Sequence, residues 1–171
     1  MDTPRKPHQS DLRKGRYSEP FGLYFVTKRV EAPYNLNERQ QEDICNALLH
    51  VRRGGRLGLH ALVVMRDHWH ALYSLALDAT LSEVMTKICR FARFNWRAAG
   101  SDGYEWQEGF HDHKVHPEES VVDIVRYIEG NPVRKGYVAT PGKWNWSSAH
   151  PRYASELDRS WLGSERWEPR S

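Results

Sequence analysis

Two apolar segments that follow each other almost directly constrain the fold of this chain most. Residues 58–65 read GLHALVVM and residues 68–75 read HWHALYSL, and only Arg66 and Asp67 lie between them. Short apolar runs rich in β-branched and aromatic side chains are typical of buried strands. Whether the Arg-Asp pair forms a tight turn or a kink stays open, but a tight turn would join the two strands as a hairpin.

The remaining periodic segments predict one small domain built around this pair. The predicted strands lie over residues 22–29 and at about 109–115. Two helices are predicted over about Glu38–Arg52, capped by Asn35 or Asn37, and over about Leu81–Ala99, started by Thr80 or Ser82. A third helix, over about Glu118–Gly130, is opened by Pro117 and two glutamates. The order βαββαβα predicts the α/β (α+β) class, with helices packed against an antiparallel sheet.

The length of 171 residues suits a single domain. Residues 1–20 are polar and basic and predict a flexible arm, residues 21–153 predict the domain, and residues 154–171 predict a C-terminal tail. There is no secretory signal and no run of about 18 apolar residues, so a cytoplasmic location without membrane contact is expected. Two cysteines exclude a disulfide scaffold and a four-cysteine zinc site.

The positive charge is concentrated in two places. The net charge is only +3, and the first 16 residues alone carry five cations against two acids. Candidate DNA contacts in this arm are Arg5, Lys6, Arg13 and Arg16. A second set shares the polar side of the helix over 81–99 and is called the basic ridge: Lys87, Arg90, Arg93 and Arg97. Phe94 lies within the ridge and can stack on a base. The alternatives are a solubilising tail and an ordinary solvated helix face.

His68-Trp69-His70 stands at the start of the second strand of the pair. Because residues i and i+2 of a strand point to the same face, the two imidazoles can bind one divalent ion while Trp69 packs on the other side. The alternative is two histidines satisfied by hydrogen bonds. His111 and His113 repeat the pattern, and they suit a second metal site, a DNA phosphate contact or packing at a sheet end.

Tyr127 and Asn131 lie four residues apart and share one face of the last predicted helix. A tyrosine at such a position is usually a packing residue. Beside a phosphate that a divalent cation polarises, however, it can act as a nucleophile, although its ordinary pKa of about 10 means that it needs such help. An asparagine one turn away can supply an amide oxygen to the same ion.

Four segments in a fixed order resemble the HUH single-tyrosine transposases. MRDHWHALYSL resembles their HUH motif, and WQEGFHDHKV, YIEGNPVRKGYV and WNWSSAH resemble later segments of the same superfamily. The third is typical of the REP-associated tyrosine transposases, and the likeness runs from about Gly22 to His150. Two departures are Arg66-Asp67 in place of the usual Pro-Asn and the second histidine of FHDH.

The resemblance implies a ferredoxin-like HUH fold and a nucleoid-associated enzyme. It implies that His68, His70 and Asn131 hold Mg²⁺ or Mn²⁺ and that Tyr127 is the nucleophile. The implied reaction cleaves and rejoins single-stranded DNA beside a hairpin through a 5′-phosphotyrosine intermediate. The partner is single-stranded or hairpin DNA, and the protein is a monomer or a homodimer. Two other functions stay open, a non-catalytic hairpin-binding protein and a zinc hydrolase that uses both histidine pairs.

Overall fold

The fold centres on one four-stranded sheet. The computed structural model describes residues 18–100 and 105–160. The strands are β1 (Leu23–Arg29), β2 (Leu57–Val64), β3 (His68–Leu75) and β4 (His111–Lys114), and the helices are α1 (Glu38–Arg53), α2 (Leu81–Ala98), α3 (Val121–Glu129) and α4 (Asn131–Arg134). Short 3₁₀ helices follow at Pro141–Lys143 and Pro151–Glu156. None of the helices in these described ranges has the length and apolar character that crossing a membrane requires.

All strand pairs are antiparallel, in the order β2-β3-β1-β4. The Met65 amide donates to the His68 carbonyl at 2.8 Å, so Arg66 and Asp67 form the tight turn of the predicted hairpin. The expected α+β class, an antiparallel sheet with helices against it, is confirmed.

Local capping explains where α1 and α2 begin. The Asn37 side chain accepts from the Gln40 amide, and the Gln40 side chain accepts from the Asn37 amide. Thr80 and Glu83 make the same reciprocal pair at α2. Each such cap stabilises a helix by about 1 kcal/mol. Of the alternatives that the sequence left open, the caps are therefore Asn37 and Thr80.

The predicted start of the last helix at Glu118 is wrong. Helix α3 begins at Val121, because the Ser120 side chain accepts from the Asp123 amide and caps it there. The Glu119 carboxylate instead accepts from the His116 amide at 2.7 Å. At the other end Gly130 separates α3 from α4. An added Cβ at this position would lie 2.9 Å from the Arg126 carbonyl oxygen, so the close turn between the helices requires glycine.

The helices lie on opposite faces of the sheet. Tyr73 of β3 interacts with Cys89 of α2, whereas His70 of the same strand contacts Tyr127 of α3. Because odd and even residues of a strand point to opposite faces, α2 covers one face and α3 the other. Helix α1 packs beside α2.

The described part of the C-terminal segment is tied to the free edge of β2. The Asp158 carboxylate accepts from Arg52 and from the Leu59 amide. Arg159 donates to the His60 carbonyl oxygen at 2.6 Å and also reaches Glu129 of α3. Trp144 and Trp146 are buried, and the indole of Trp144 donates to the Val64 carbonyl oxygen. These contacts fix the end of α3 against the sheet.

We expect the metal-free protein to lose stability as the pH falls from 7 to 5. His60 is buried, with Nδ1 2.6 Å from the Asp158 carbonyl oxygen and Nε2 2.9 Å from the Ser74 hydroxyl. Burial lowers the pKa of His60 from 6.5 to about 4. The unfolded chain therefore takes up this proton first, and His60 alone removes about 2 kcal/mol of unfolding free energy across this interval.

Urea unfolding at pH 7 and pH 5 measures this loss. His60→Asn keeps a side-chain donor at the site without a group that titrates in this range, so its stability should depend less on pH. An equal pH dependence in the wild type and the variant would contradict the assignment to His60.

Candidate active site

The two histidines of the HxH motif are neighbours on one face of β3. Their ring centroids are 4.7 Å apart, and His68 and His70 are only 5% and 7% exposed. Trp69 is fully buried on the opposite face, as the strand period predicts. The pair therefore forms a two-imidazole site on the face of the sheet opposite Trp69.

Hydrogen bonds engage the same ring nitrogen of each histidine. Nδ1 of His68 is 2.6 Å from Oδ1 of Asp67, and Nδ1 of His70 is 2.7 Å from the Thr27 hydroxyl. Within the described residues, Nε2 of each ring has no hydrogen bond. Metal-bound histidines typically have this arrangement, with one nitrogen on the metal and the other on an oxygen partner.

Both imidazoles are neutral at neutral pH. Burial, together with the neighbouring His68, Arg29 and Arg134, lowers the pKa of His70 to about 3. Burial also lowers the pKa of His68, although the hydrogen bond and charge of Asp67 oppose this effect. Neutral imidazole is the form that binds metal ions, so the donor set fits a divalent cation.

Helix α3 brings Tyr127 to the histidine pair. The Tyr127 ring centroid is 6.1 Å from that of His70 and 6.0 Å from that of Phe25. The side chain is 49% exposed, so its hydroxyl is accessible to a large substrate. The structure thus places the predicted nucleophile beside the predicted metal ligands, although Tyr127 lies 57 residues after His70 in the sequence.

Asn131 begins α4, one turn beyond Tyr127, and is buried. Its backbone carbonyl accepts from Lys135. No hydrogen bond joins its side chain to His68 or His70 in the described part of the chain. Its predicted role as a third ligand stays a prediction.

Three cations around the site were not predicted from the sequence. The guanidinium carbon of Arg134 lies 4.3 Å from the Tyr127 ring centroid, and Nη2 of Arg134 donates to the Tyr127 carbonyl oxygen at 2.6 Å. Arg29 and Lys135 are close enough to lower the pKa of His68. Tyr127 and Arg134 lie on two helices that Gly130 separates, so their spacing in the sequence gives no signal for this contact.

The two residues of the Arg66-Asp67 turn have different partners, because Asp67 contacts the histidine site and Arg66 packs on Tyr137. The guanidinium carbon of Arg66 lies 4.5 Å from the Tyr137 ring centroid, and Tyr137 stacks on Trp144. Asp67 contacts His68 and is 3.5 Å from Arg29. The departure from Pro-Asn therefore leaves the two histidines together on β3.

The second histidine pair lies on the exposed edge strand β4. His113 is 2.7 Å from the Glu119 carboxylate, and its ring is 6.2 Å from that of His116. Among residues 18–100 and 105–160, no group of three or more His, Cys, Asp and Glu side chains is arranged to hold a metal ion. A zinc site built from such a group is thus not found there.

The basic ridge lies on the face of the sheet opposite the histidines. Lys87, Arg90 and Arg97 are exposed, whereas Arg93 is half-buried and paired with Glu105. Phe94 is 71% exposed within the ridge. The ridge reaches the end of the sheet that carries His68, because Glu105 bonds Glu31 and Trp106 pairs with Val30 there. The predicted arm contacts Arg5, Lys6, Arg13 and Arg16 lie outside the described residues.

Known proteins are similar to this chain in sequence and fold. A Haemophilus influenzae protein named as a REP-associated tyrosine transposase is 26% identical over 117 residues, 61% of this chain and 66% of that protein, just under two thirds of its length. The REP-associated tyrosine transposase of Escherichia coli K12 is 27% identical over 144 residues, 83% of this chain and 85% of that protein. No family model matches the chain.

A solved structure extends the comparison to the fold. A REP-associated tyrosine transposase bound to a REP hairpin superposes with a TM-score of 0.68 at 25% identity, over 91% of this chain and 90% of that one. The resemblance to the REP-associated tyrosine transposases is confirmed.

Proposed function

We propose that this chain is a transposase that acts with REP-like hairpin DNA, cleaving and rejoining a single strand beside the hairpin. The observation that carries the proposal is the exposed Tyr127 ring, 6.1 Å from the ring of His70 and beneath the Arg134 guanidinium. The confirmed likeness to the transposases supports the same reaction class.

The proposed reaction is a transesterification at phosphorus. The Tyr127 oxygen attacks the phosphorus, a new oxygen–phosphorus bond forms, and the bond to the 3′ oxygen breaks. The phenolic proton is lost, and the departing strand takes up a proton as a free 3′ hydroxyl. The 5′ phosphate stays on the tyrosine, so the reverse attack rejoins a strand without ATP.

Charged groups at the site suit a phosphate. Arg134, Arg29 and Lys135 bring positive charge to the tyrosine and the two imidazoles. Arginine forms bidentate hydrogen bonds to phosphate oxygens. Within the described residues, Arg134 makes one hydrogen bond, to the Tyr127 carbonyl oxygen, and its guanidinium lies over the Tyr127 ring. We therefore propose that Arg134 binds the scissile phosphate.

His68 and His70, with Asn131, would hold Mg²⁺ or Mn²⁺. Such an ion, when bound, polarises the phosphoryl oxygens and neutralises charge that develops in the transition state. The neutral imidazoles and their Nδ1 contacts support this part of the proposal.

The ridge and the arm are the proposed hairpin contacts. The ridge ends at the His68 end of the sheet, so DNA bound there can reach the tyrosine around that end. A base can stack on the exposed Phe94 ring. Arg5, Lys6, Arg13 and Arg16 are proposed to hold the hairpin stem.

Replacing Arg90 and Arg97 together should weaken hairpin binding and make it less dependent on salt. Both side chains are exposed, and each lost phosphate contact reduces the slope of log K against log salt by about one unit. Fluorescence anisotropy with a labelled hairpin at several salt concentrations measures both quantities.

Arg126→Gln is the matched control, because Arg126 is an exposed arginine on α3 outside the ridge. Its affinity and salt slope should stay close to the wild-type values. If the double ridge variant also keeps wild-type affinity and slope, the ridge does not contact DNA.

A strand-cleavage assay tests the function as a whole. Hairpin oligonucleotides with a single-stranded flank, labelled at either end, are incubated with the protein and Mn²⁺ and run on a denaturing gel. The 3′-labelled fragment should move with the protein, and the 5′-labelled fragment should be released. Hairpin binding without any adduct would instead support a non-catalytic hairpin-binding protein.

A further inference from the structure

Two side chains outside the predicted ligand set contact the imidazoles at equivalent positions. Asp67 comes from the β2–β3 turn and Thr27 from the middle of β1, and each contacts Nδ1 of one histidine at 2.6 or 2.7 Å. Thr27 is the direct cross-strand partner of His70, and Arg29 that of His68. The two contacts therefore come from different elements but fix the same ring nitrogen.

We infer that Asp67 and Thr27 are positioning residues that hold His68 and His70 with both Nε2 atoms turned toward the metal. Asp67 does so by fixing the Nδ1–H tautomer of His68, and Thr27 by orienting the His70 ring through its hydroxyl. A carboxylate without a proton can only accept, so the hydrogen on this bond belongs to His68. This inference rests on the proposed metal-dependent function and deepens it.

The Asp67 carboxylate lies between the His68 imidazole, at 2.6 Å, and the Arg29 guanidinium, at 3.5 Å. The side chain is still 53% exposed, so an isosteric replacement does not disturb packing. Thr27 lies in a strand, where valine has the same shape and the same preference for extended backbone.

The test compares Asp67→Asn and Thr27→Val in the full chain. Histidine-selective ¹⁵N labelling and long-range ¹H–¹⁵N correlation spectra of the metal-free protein report the tautomer of each ring. In the wild type the His68 ring should be Nδ1–H. Asp67→Asn should give a tautomer mixture at His68 alone, because an amide both donates and accepts, and Thr27→Val should change His70 alone.

Mn²⁺ affinity gives the second readout. Because oxygen partners of this kind typically contribute 10- to 100-fold to metal affinity, each variant should bind Mn²⁺ at least about 10-fold more weakly. Arg29→Gln is the matched control for charge: it removes the other partner of Asp67 but leaves the contact with His68, so the His68 tautomer should not change.

The outcomes separate the two proposals. Wild-type tautomers and Mn²⁺ affinity in both variants would overturn the positioning role while leaving the cleavage reaction intact. A wild-type protein that cleaves hairpin DNA without binding Mn²⁺ would overturn the metal-dependent function and with it the purpose of Asp67 and Thr27. Tautomer changes confined to the predicted rings, with weaker Mn²⁺ binding, support the inference.

Discussion

Tyr127→Phe is expected to abolish the covalent protein–DNA adduct while leaving hairpin affinity nearly unchanged. The substitution removes one hydroxyl and keeps the ring, which contacts Phe25, His70 and Arg134. Because the side chain is half exposed, loss of the hydroxyl costs little folding energy. A phenyl ring has no nucleophilic oxygen, so adduct and released strand should both disappear from a denaturing gel.

Tyr137→Phe is the control for this result. Its ring stacks between Arg66 and Trp144, away from the histidine pair, and the stacking needs no hydroxyl. This variant should form the adduct at the wild-type rate. The opposite pattern, in which Tyr127→Phe forms the adduct and Tyr137→Phe does not, would show that the nucleophile is assigned to the wrong tyrosine.

The double variant His68→Ala, His70→Ala should lose strand cleavage but keep hairpin binding. The two imidazoles are the proposed metal ligands, whereas the proposed hairpin contacts lie on the ridge and the arm. Without a bound cation the reaction loses several kcal/mol of transition-state stabilisation, which corresponds to a roughly hundredfold to thousandfold slower cleavage. Single-turnover cleavage with Mn²⁺ and anisotropy with the same hairpin measure the two effects separately.

His113→Ala is the matched histidine control. His113 lies on the exposed edge strand and contacts Glu119. Its cleavage rate should stay within a few fold of the wild type. Unchanged cleavage by the double His68, His70 variant would show that the proposed metal site is not needed for the reaction, whatever the behaviour of His113→Ala.

The central hairpin could be predicted because its signals are local. Two apolar runs separated by two polar residues leave little choice of pairing, and the side chains of Asn37 and Thr80 act within four residues of their positions. The start of α3 was missed because two local signals compete. Pro117 and the glutamates suggest an earlier start, but Glu119 bonds His116 and Ser120 takes the cap.

The contacts around the histidines could not be predicted, because they depend on how separate elements meet. Successive residues in a strand point to opposite faces, so the sequence alone does not predict a contact between the Asp67 carboxylate and His68. The tight turn does this by placing Asp67 outside the strand. Arg134 reaches the Tyr127 ring only because the chain breaks at Gly130 and starts a new short helix.

Mass spectrometry can identify the residue to which the DNA becomes linked. After reaction with a hairpin substrate and Mn²⁺, the DNA is trimmed by nuclease and the protein is digested with trypsin. Cleavage after Arg126 and Arg134 releases residues 127–134, whose one tyrosine is Tyr127. We predict that this peptide carries the nucleotide through its 5′ phosphate. A nucleotide on a peptide with another tyrosine, or a cleaved strand with no nucleotide on any peptide, would contradict the assignment of Tyr127 as the nucleophile.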